Sequence, residues 1–147
     1  MNKKNKIYIG IYGIFIKDGN ILVINKSRGP YMGKYDLPGG GLDFDETTEQ
    51  CLEREIDEET GAKILNKEFF CYNEYRCQYR ENGEYKNFHH LALYYIVDLD
   101  VANIKKRGDG QDSLGAESIP LSNLSALNTS PIAYPIILRS VNKITQK

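Results

Sequence analysis

The stretch Leu37–Gly61, LPGGGLDFDETTEQCLEREIDEETG, constrains this chain more than any other. Three glycines are followed by nine carboxylates between Asp43 and Glu59, with Arg54 as the single base among them. Thr47–Thr60 reads as a helix. Leu52 and Ile56 form an apolar stripe at i, i+4 spacing, and Asp43, Asp45 and Glu46 lie at the approach, where a helix N-terminus favours negative charge. Asp45 is the expected N-cap, with Thr48 three residues on. Gly61 is placed to end the helix in a left-handed conformation. At about 100° per residue, Glu55, Glu58 and Glu59 share an arc of roughly 100° that borders the buried stripe. Three carboxylates so placed raise one another's pKa unless a cation compensates. A hard divalent ion accepts such oxygens and keeps water and phosphate ligands beside them. Gly39–Gly41 allows close backbone approach to a ligand or metal. The competing reading, a solvated Glu-rich helix after a flexible loop, leaves unexplained why Pro38 leads into the glycines and a well-signalled helix follows.

Around this stretch the chain alternates strand and helix signals. Ile7–Ile16, Ile21–Asn25 and Tyr35–Leu37 read as strands, with Asp18-Gly19-Asn20 as a turn and Lys26–Lys34 as a polar loop. Ile64–Tyr75 holds one or two strand candidates, and Asn82-Gly83 marks a hairpin turn. His90–Leu99 is β-branched, aromatic and nearly free of charge, a strong strand. Ala102–Gly115 reads as a loop, Glu117–Leu121 as a short strand, Leu121–Leu127 as a short helical turn and Ile132–Ile144 as a terminal helix. The pattern is α/β. With 147 residues, one domain spanning 1–147 is expected. No apolar run reaches membrane-span length, and Ile7–Ile16 is too short and broken for a signal peptide, so the expected location is the cytoplasm. Cys51, Cys71 and Cys77 have no paired spacing and are expected to be free thiols. A formal net charge of -1 gives no reason to expect an extended nucleic acid or an anionic membrane as partner.

The central stretch resembles the Nudix box: glycine, five residues, glutamate, seven residues, then Arg-Glu-aliphatic-x-Glu-Glu-x-Gly-aliphatic. Here these are Gly40, Glu46, Arg54, Glu55, Ile56, Glu58, Glu59 and Gly61, led in by Leu37–Gly41. The departures are Ala62 as a small closing aliphatic, Asp45 where many relatives have glycine, Cys51-Leu52 where two alanines are common, and a missing tryptophan near Ser118 or Ile119. None removes a ligand. The resemblance implies an α/β/α sandwich around a mixed β-sheet. It implies hydrolysis of a nucleoside diphosphate linked to another group, with Mg²⁺ or Mn²⁺. Metal would be held by Glu55, Glu58, Glu59 and the Gly39 carbonyl. Glu46, Arg54, Glu55, Glu58 and Glu59 would form the catalytic set, with Arg54 orienting Glu55 or Glu46 and Glu46 fixing the loop at the helix start. Arg28, Gly40 and Gly41 are the expected contacts to bound ligand.

Several assignments stay open at this level. The base that takes the water's proton is Glu58 or Glu59, or an acid from a later loop: Glu117, Asp109 or Asp112. Lys26 and Arg28 contact phosphates or are surface charges, and Lys34 is a weaker candidate. Tyr31 and Tyr35 stack on a base or pack at the cleft rim. His89 and His90 open a strand, so one points inward and one outward. The Tyr-rich Cys71–Tyr85 is a dimer arm or a substrate lid, leaving a homodimer open. NTPs, ADP-ribose, sugar nucleotides and non-nucleotide pyrophosphates share the reacting group. A silent nucleotide-binding or regulatory module of the same fold is the alternative to an enzyme.

Overall fold

A computed structural model describes residues 4–102 and 113–145. In chain order these form β1 (Lys4–Ile14), β2 (Ile16–Lys17), β3 (Asn20–Lys26), β4 (Tyr35–Asp36), β5 (Gly39–Gly41), α1 (Thr48–Thr60), β6 (Lys63–Glu81), β7 (Glu84–Asp100), β8 (Ser113–Pro120) and α2 (Tyr134–Thr145), with a 3₁₀ turn at Leu121–Asn123. One sheet has the order β5-β1-β7-β6. It is mixed: β1 and β7 run parallel, while β5 and β6 pair antiparallel with their neighbours. A parallel pair needs a long crossover, and the segment from β2 to β6, carrying α1, provides it. The second sheet is built on β3, with β2 and β4 along one edge and β8 along the other, all antiparallel.

β3 shows why the fold has three layers. Ile21, Leu22, Val23 and Ile24 are all buried, although successive side chains on a strand point to opposite faces. A strand buried on both faces needs a layer on each. Ile21 and Val23 pack with Tyr12, Ile14 and, from α2, Ile136 and Ile137. Leu22 and Ile24 pack with Ile11 and, from α1, Leu52 and Ile56. The sheets therefore lie between α1 and α2, the α/β/α arrangement that the motif implied.

Local details differ from the sequence reading in three places. The N-cap of α1 is Thr47, not Asp45: its hydroxyl accepts the Gln50 N–H while the Gln50 side chain accepts the Thr47 N–H. This reciprocal box satisfies two backbone donors at once. Gly61 does close the helix in the left-handed region, at φ 76°. The Ile64–Tyr75 signal belongs to one long strand, β6, which runs through polar Tyr79–Glu81 to the Asn82-Gly83 turn because alternate residues face solvent. The strand expected at Glu117–Leu121 starts earlier, at Ser113, where it pairs with Lys26 of β3. Asp109 and Asp112 lie outside the described residues.

Candidate functional site

The glycine strand β5 is held between two sets of side chains. Gly39 has φ 148°, a conformation open essentially to glycine. A Cβ there would overlap the Ile11 carbonyl oxygen and crowd Tyr12. A Cβ at Gly40 would lie 2.5 Å from the Glu55 carboxyl group, and one at Gly41 would lie 2.9 Å from the Tyr8 hydroxyl. Neighbouring residues of a strand face opposite ways, so Gly40 faces the acids of α1 while Gly39 and Gly41 face the tyrosines of β1. The Gly39 N–H donates to Glu59 Oε1 at 2.7 Å, and Glu59 is only 2% exposed.

Arg54 organises the acids around that strand. Its Nε and Nη2 donate to the two carboxylate oxygens of Glu46 at 3.0 and 2.7 Å. Its Nη1 donates to Glu55 at 2.9 Å and approaches Glu58 at 3.4 Å. Nη2 also reaches the Gly41 carbonyl at 3.1 Å and lies 3.5 Å from Asp43. The hydrogen bonds from Arg54, the largest influence, hold the Glu46 carboxyl down to about 2, and the same bonds raise the guanidinium above its ordinary value. One half-buried cation thus offsets the crowding of charge that the sequence presents. Cys51, where small residues are common in the motif, is buried with its Sγ 3.4 Å from the Gly41 carbonyl. Burial pushes that thiol up to about 12, so it stays protonated.

The three glutamates that share an arc on the helical wheel separate at their tips. Glu59 turns inward to the Gly39 amide, Glu55 lies on Arg54 beside Gly40, and Glu58 is half exposed. Among the described residues, no three acidic, histidine or cysteine side chains converge into a ready-made metal cage. The donor set is nonetheless all oxygen: carboxylates beside a glycine backbone, with Glu55 occupying the space that a side chain on Gly40 would need. That chemistry fits Mg²⁺ or Mn²⁺ better than a softer ion, since Mg²⁺ is commonly held by one or two carboxylates and retains several waters.

The remaining candidates fall in different places. Lys34 donates to the Leu127 carbonyl at 2.8 Å, and Tyr35 is tied through its backbone to Asn128 and Ser130. Glu117 accepts from Asn25 at 3.1 Å. His89 faces outward onto Glu74 at 3.1 Å, while His90 is buried. Arg28 is exposed at the rim of a 320 Å³ cavity whose lining includes Tyr8, Tyr12, Asp36, Phe88 and His90. Within it, the Tyr12 and Tyr31 hydroxyls each lie 2.9 Å from a ring nitrogen of His90. Tyr31 also stacks on the His90 ring at 5.7 Å. Asp36 is buried, and its carboxylate accepts the Leu37 N–H at 2.8 Å. Sequence reasoning missed Tyr8, Tyr12 and Asp36. The available signal was an acid in Tyr35-Asp36-Leu37, a short strand otherwise reading as buried.

An α/β/α domain that presents a glycine strand to an arginine-organised acidic helix defines a class of hydrolase. The NUDIX domain model matches residues 4–139, and the chain belongs to the Nudix family of hydrolases, of MutT-like type. It is 32% identical over 129 residues to an ADP-ribose pyrophosphatase of Methanocaldococcus jannaschii, covering 85% of this chain and 71% of that protein. It is 35% identical over 65 residues to an 8-oxo-dGTP diphosphatase of Proteus vulgaris, covering 44% of this chain and 58% of that one. Among solved structures, the MutT NUDIX hydrolase from Burkholderia pseudomallei superposes with a TM-score of 0.67 at 25% identity, covering 91% of this chain and 97% of the other.

Proposed function

We propose that this protein hydrolyses a pyrophosphate bond in a nucleoside diphosphate linked to a further group, with Mg²⁺ or Mn²⁺ as cofactor. The observation that carries the reading is the Arg54 cluster: one guanidinium fixes Glu46, Glu55 and Glu58 beside a glycine strand whose Gly39 amide fixes Glu59. Glu55, Glu58, Glu59 and the Gly39 carbonyl would hold the metal. When bound, the metal supplies charge screening for the phosphates and acidifies a water. Arg54 sets the orientation of Glu55 and Glu58, and Glu46 sets that of Arg54. Glu58, at the solvent side of the helix, is positioned to take a proton from an attacking water. Lys26 and Arg28 supply positive charge for the phosphates. The substrates that name the two relatives, ADP-ribose and 8-oxo-dGTP, both join a purine nucleoside to linked phosphates, which supports a nucleotide over other pyrophosphates.

The test is product analysis by chromatography. Purified protein is incubated with Mg²⁺ or Mn²⁺ and a panel of NTPs, oxidised NTPs, ADP-ribose and sugar nucleotides. Release of a nucleoside monophosphate from one class, abolished by chelation, is the expected result. Absence of metal-dependent cleavage across the panel from neutral to alkaline pH would count against the enzyme and for the silent binding module.

A further inference from the structure

β6 is an outer strand of the first sheet. It pairs with β7 on one side, and among the described residues no strand pairs with its other side. Such an edge presents a row of backbone N–H and C=O groups that another strand can take up. The two halves of this edge differ. Towards Lys63 the register with β7 shifts at Ile64/Asn66 and again at Phe69/Cys71, and bulges spoil a strand as a pairing template. Both helices also reach this half: Lys67 bonds Glu49 and Glu53 of α1, and Lys143 of α2 bonds Glu68. From Cys71 to Glu81 the pairing with β7 runs without a shift. This half has no proline and no lysine, residues that commonly blunt an edge. Its Tyr72, Glu74, Arg76, Gln78 and Arg80 are exposed, while Cys71, Tyr75, Cys77 and Tyr79 pack on the aromatic core.

We propose that this open half of β6 is a homodimer interface: β6 of two copies pairs antiparallel about a two-fold axis at Tyr75 and joins two four-stranded sheets into one. Charge identifies a second copy as the occupant. Glu74 and Arg76 flank Tyr75 and share the solvent face. In an antiparallel pair centred on Tyr75, Glu74 of each copy stands opposite Arg76 of the other, where opposite charges stabilise and like charges do not. A slip of one residue would set the core face of one copy beside the solvent face of the other. A slip of two residues moves the axis to Glu74 or to Arg76 and opposes two glutamates or two arginines. Hydrogen-bonded and non-hydrogen-bonded pairs of an antiparallel ladder both have a local two-fold axis, so the arrangement holds whichever residues turn their N–H groups outward. Backbone bonds provide the attachment. The exposed ion pairs add little strength; they select the register by making its neighbours repulsive. A two-fold contact uses the same surface on both copies and closes at the dimer, so no β6 edge is left to recruit a third chain. β5 is the opposite outer strand of the sheet, and pairing through β6 leaves the Arg54 cluster of each copy uncovered. The inference goes beyond the proposed function and does not depend on it.

The test is sedimentation velocity of the whole chain from about 1 to 100 μM, a range suited to an interface of modest area. Wild type is expected to pass from monomer to dimer across it. Glu74→Arg and Arg76→Glu each place like charges opposite one another and should each raise the dissociation constant about ten-fold or more. The double exchange, Glu74→Arg with Arg76→Glu, recreates both pairs in reversed order and should return the constant to within about three-fold of wild type. Hydrogen exchange on the wild type gives a second readout: amides within Cys71–Tyr79 gain protection at high concentration, and those of β5 do not. Thermal melts check folding. Glu74→Arg also removes the contact with His89; if it does not fold, Arg76→Glu and the exchange pattern decide. A monomer throughout, a dimer indifferent to the single substitutions, a folded double exchange no tighter than the singles, or protection gained outside β6 alone overturns the inference.

Discussion

Arg54 and Glu46 are eight residues apart and meet through two parallel hydrogen bonds, Nε to Oε2 at 3.0 Å and Nη2 to Oε1 at 2.7 Å. A lysine presents a point charge and cannot span both oxygens. Arg54→Lys should therefore keep the net charge while releasing Glu46 and loosening Glu55. We expect metal-dependent turnover to fall by about ten- to a hundred-fold, the usual cost of losing a residue that orients ligands. Steady-state kinetics on whichever nucleotide is cleaved would show it, and a rate within two-fold of wild type would refute the orienting role.

Glu58 is half exposed and meets Arg54 only at 3.4 Å. Glu58→Gln removes one like charge from a crowded helix, so stability should change by no more than about 0.5 kcal/mol. Turnover with Mg²⁺ should nearly vanish. Parallel urea melts and rate measurements check the pair of outcomes; retained activity sinks the assignment of Glu58 to the metal or the proton.

Gly39→Ala should be damaging for a reason independent of chemistry. The new methyl would run into the Ile11 backbone at φ 148°, and backbone cannot step aside as a flexible side chain can. A loss of at least about 3 kcal/mol is expected, combining a disfavoured conformation with overpacking. Chemical denaturation measures it directly, and a melt unchanged from wild type would mean that β5 is not seated as described.

His90 should make stability depend on pH. Its folded pKa is lowered from 6.5 to about 3, so below about pH 6.5 the unfolded chain binds a proton that the folded chain refuses. The stabilisation is complete above the unfolded value and is lost as pH falls from about 6.5 towards 3. The loss reaches on the order of 2 kcal/mol by pH 5. Urea melts at pH 7.5 and pH 5, compared between wild type and His90→Gln, isolate this share, which should be missing from the variant. Proton NMR should show the His90 ring unchanged between pH 8 and pH 5.

The capping box offers a local check. Thr47→Ala deletes the hydroxyl that accepts the Gln50 N–H at 3.1 Å. A loss of about 1 kcal/mol is expected, whereas Asp45→Ala should cost clearly less. Equal losses would return the cap to Asp45.

What could be read from the sequence was what short-range physics controls. The spacing from Gly40 to Gly61, the α1 helix with its left-handed end, the hairpin turns at Asp18-Gly19 and Asn82-Gly83, and the buried run of β3 all depend on neighbours within a few residues. The same spacing identified Arg54 as the lone cation among the acids. The exact cap was missed because Asp45 and Thr47 are both good capping residues, and only the reciprocal bond with Gln50 chooses between them. The direction of each glutamate tip was also out of reach, since a helical wheel places Cβ atoms and not carboxylates. The aromatic pocket was decided by tertiary structure alone. Tyr12 and His90 lie 78 residues apart, and Tyr31 and His90 lie 59 apart. They meet because parallel pairing of β1 with β7 sets Tyr8 beside His90 and Tyr12 beside Tyr94. No local pattern encodes that register: it follows from burying both faces of the sheets at once, and it brings a strand tyrosine, Tyr12, and a loop tyrosine, Tyr31, onto one buried histidine.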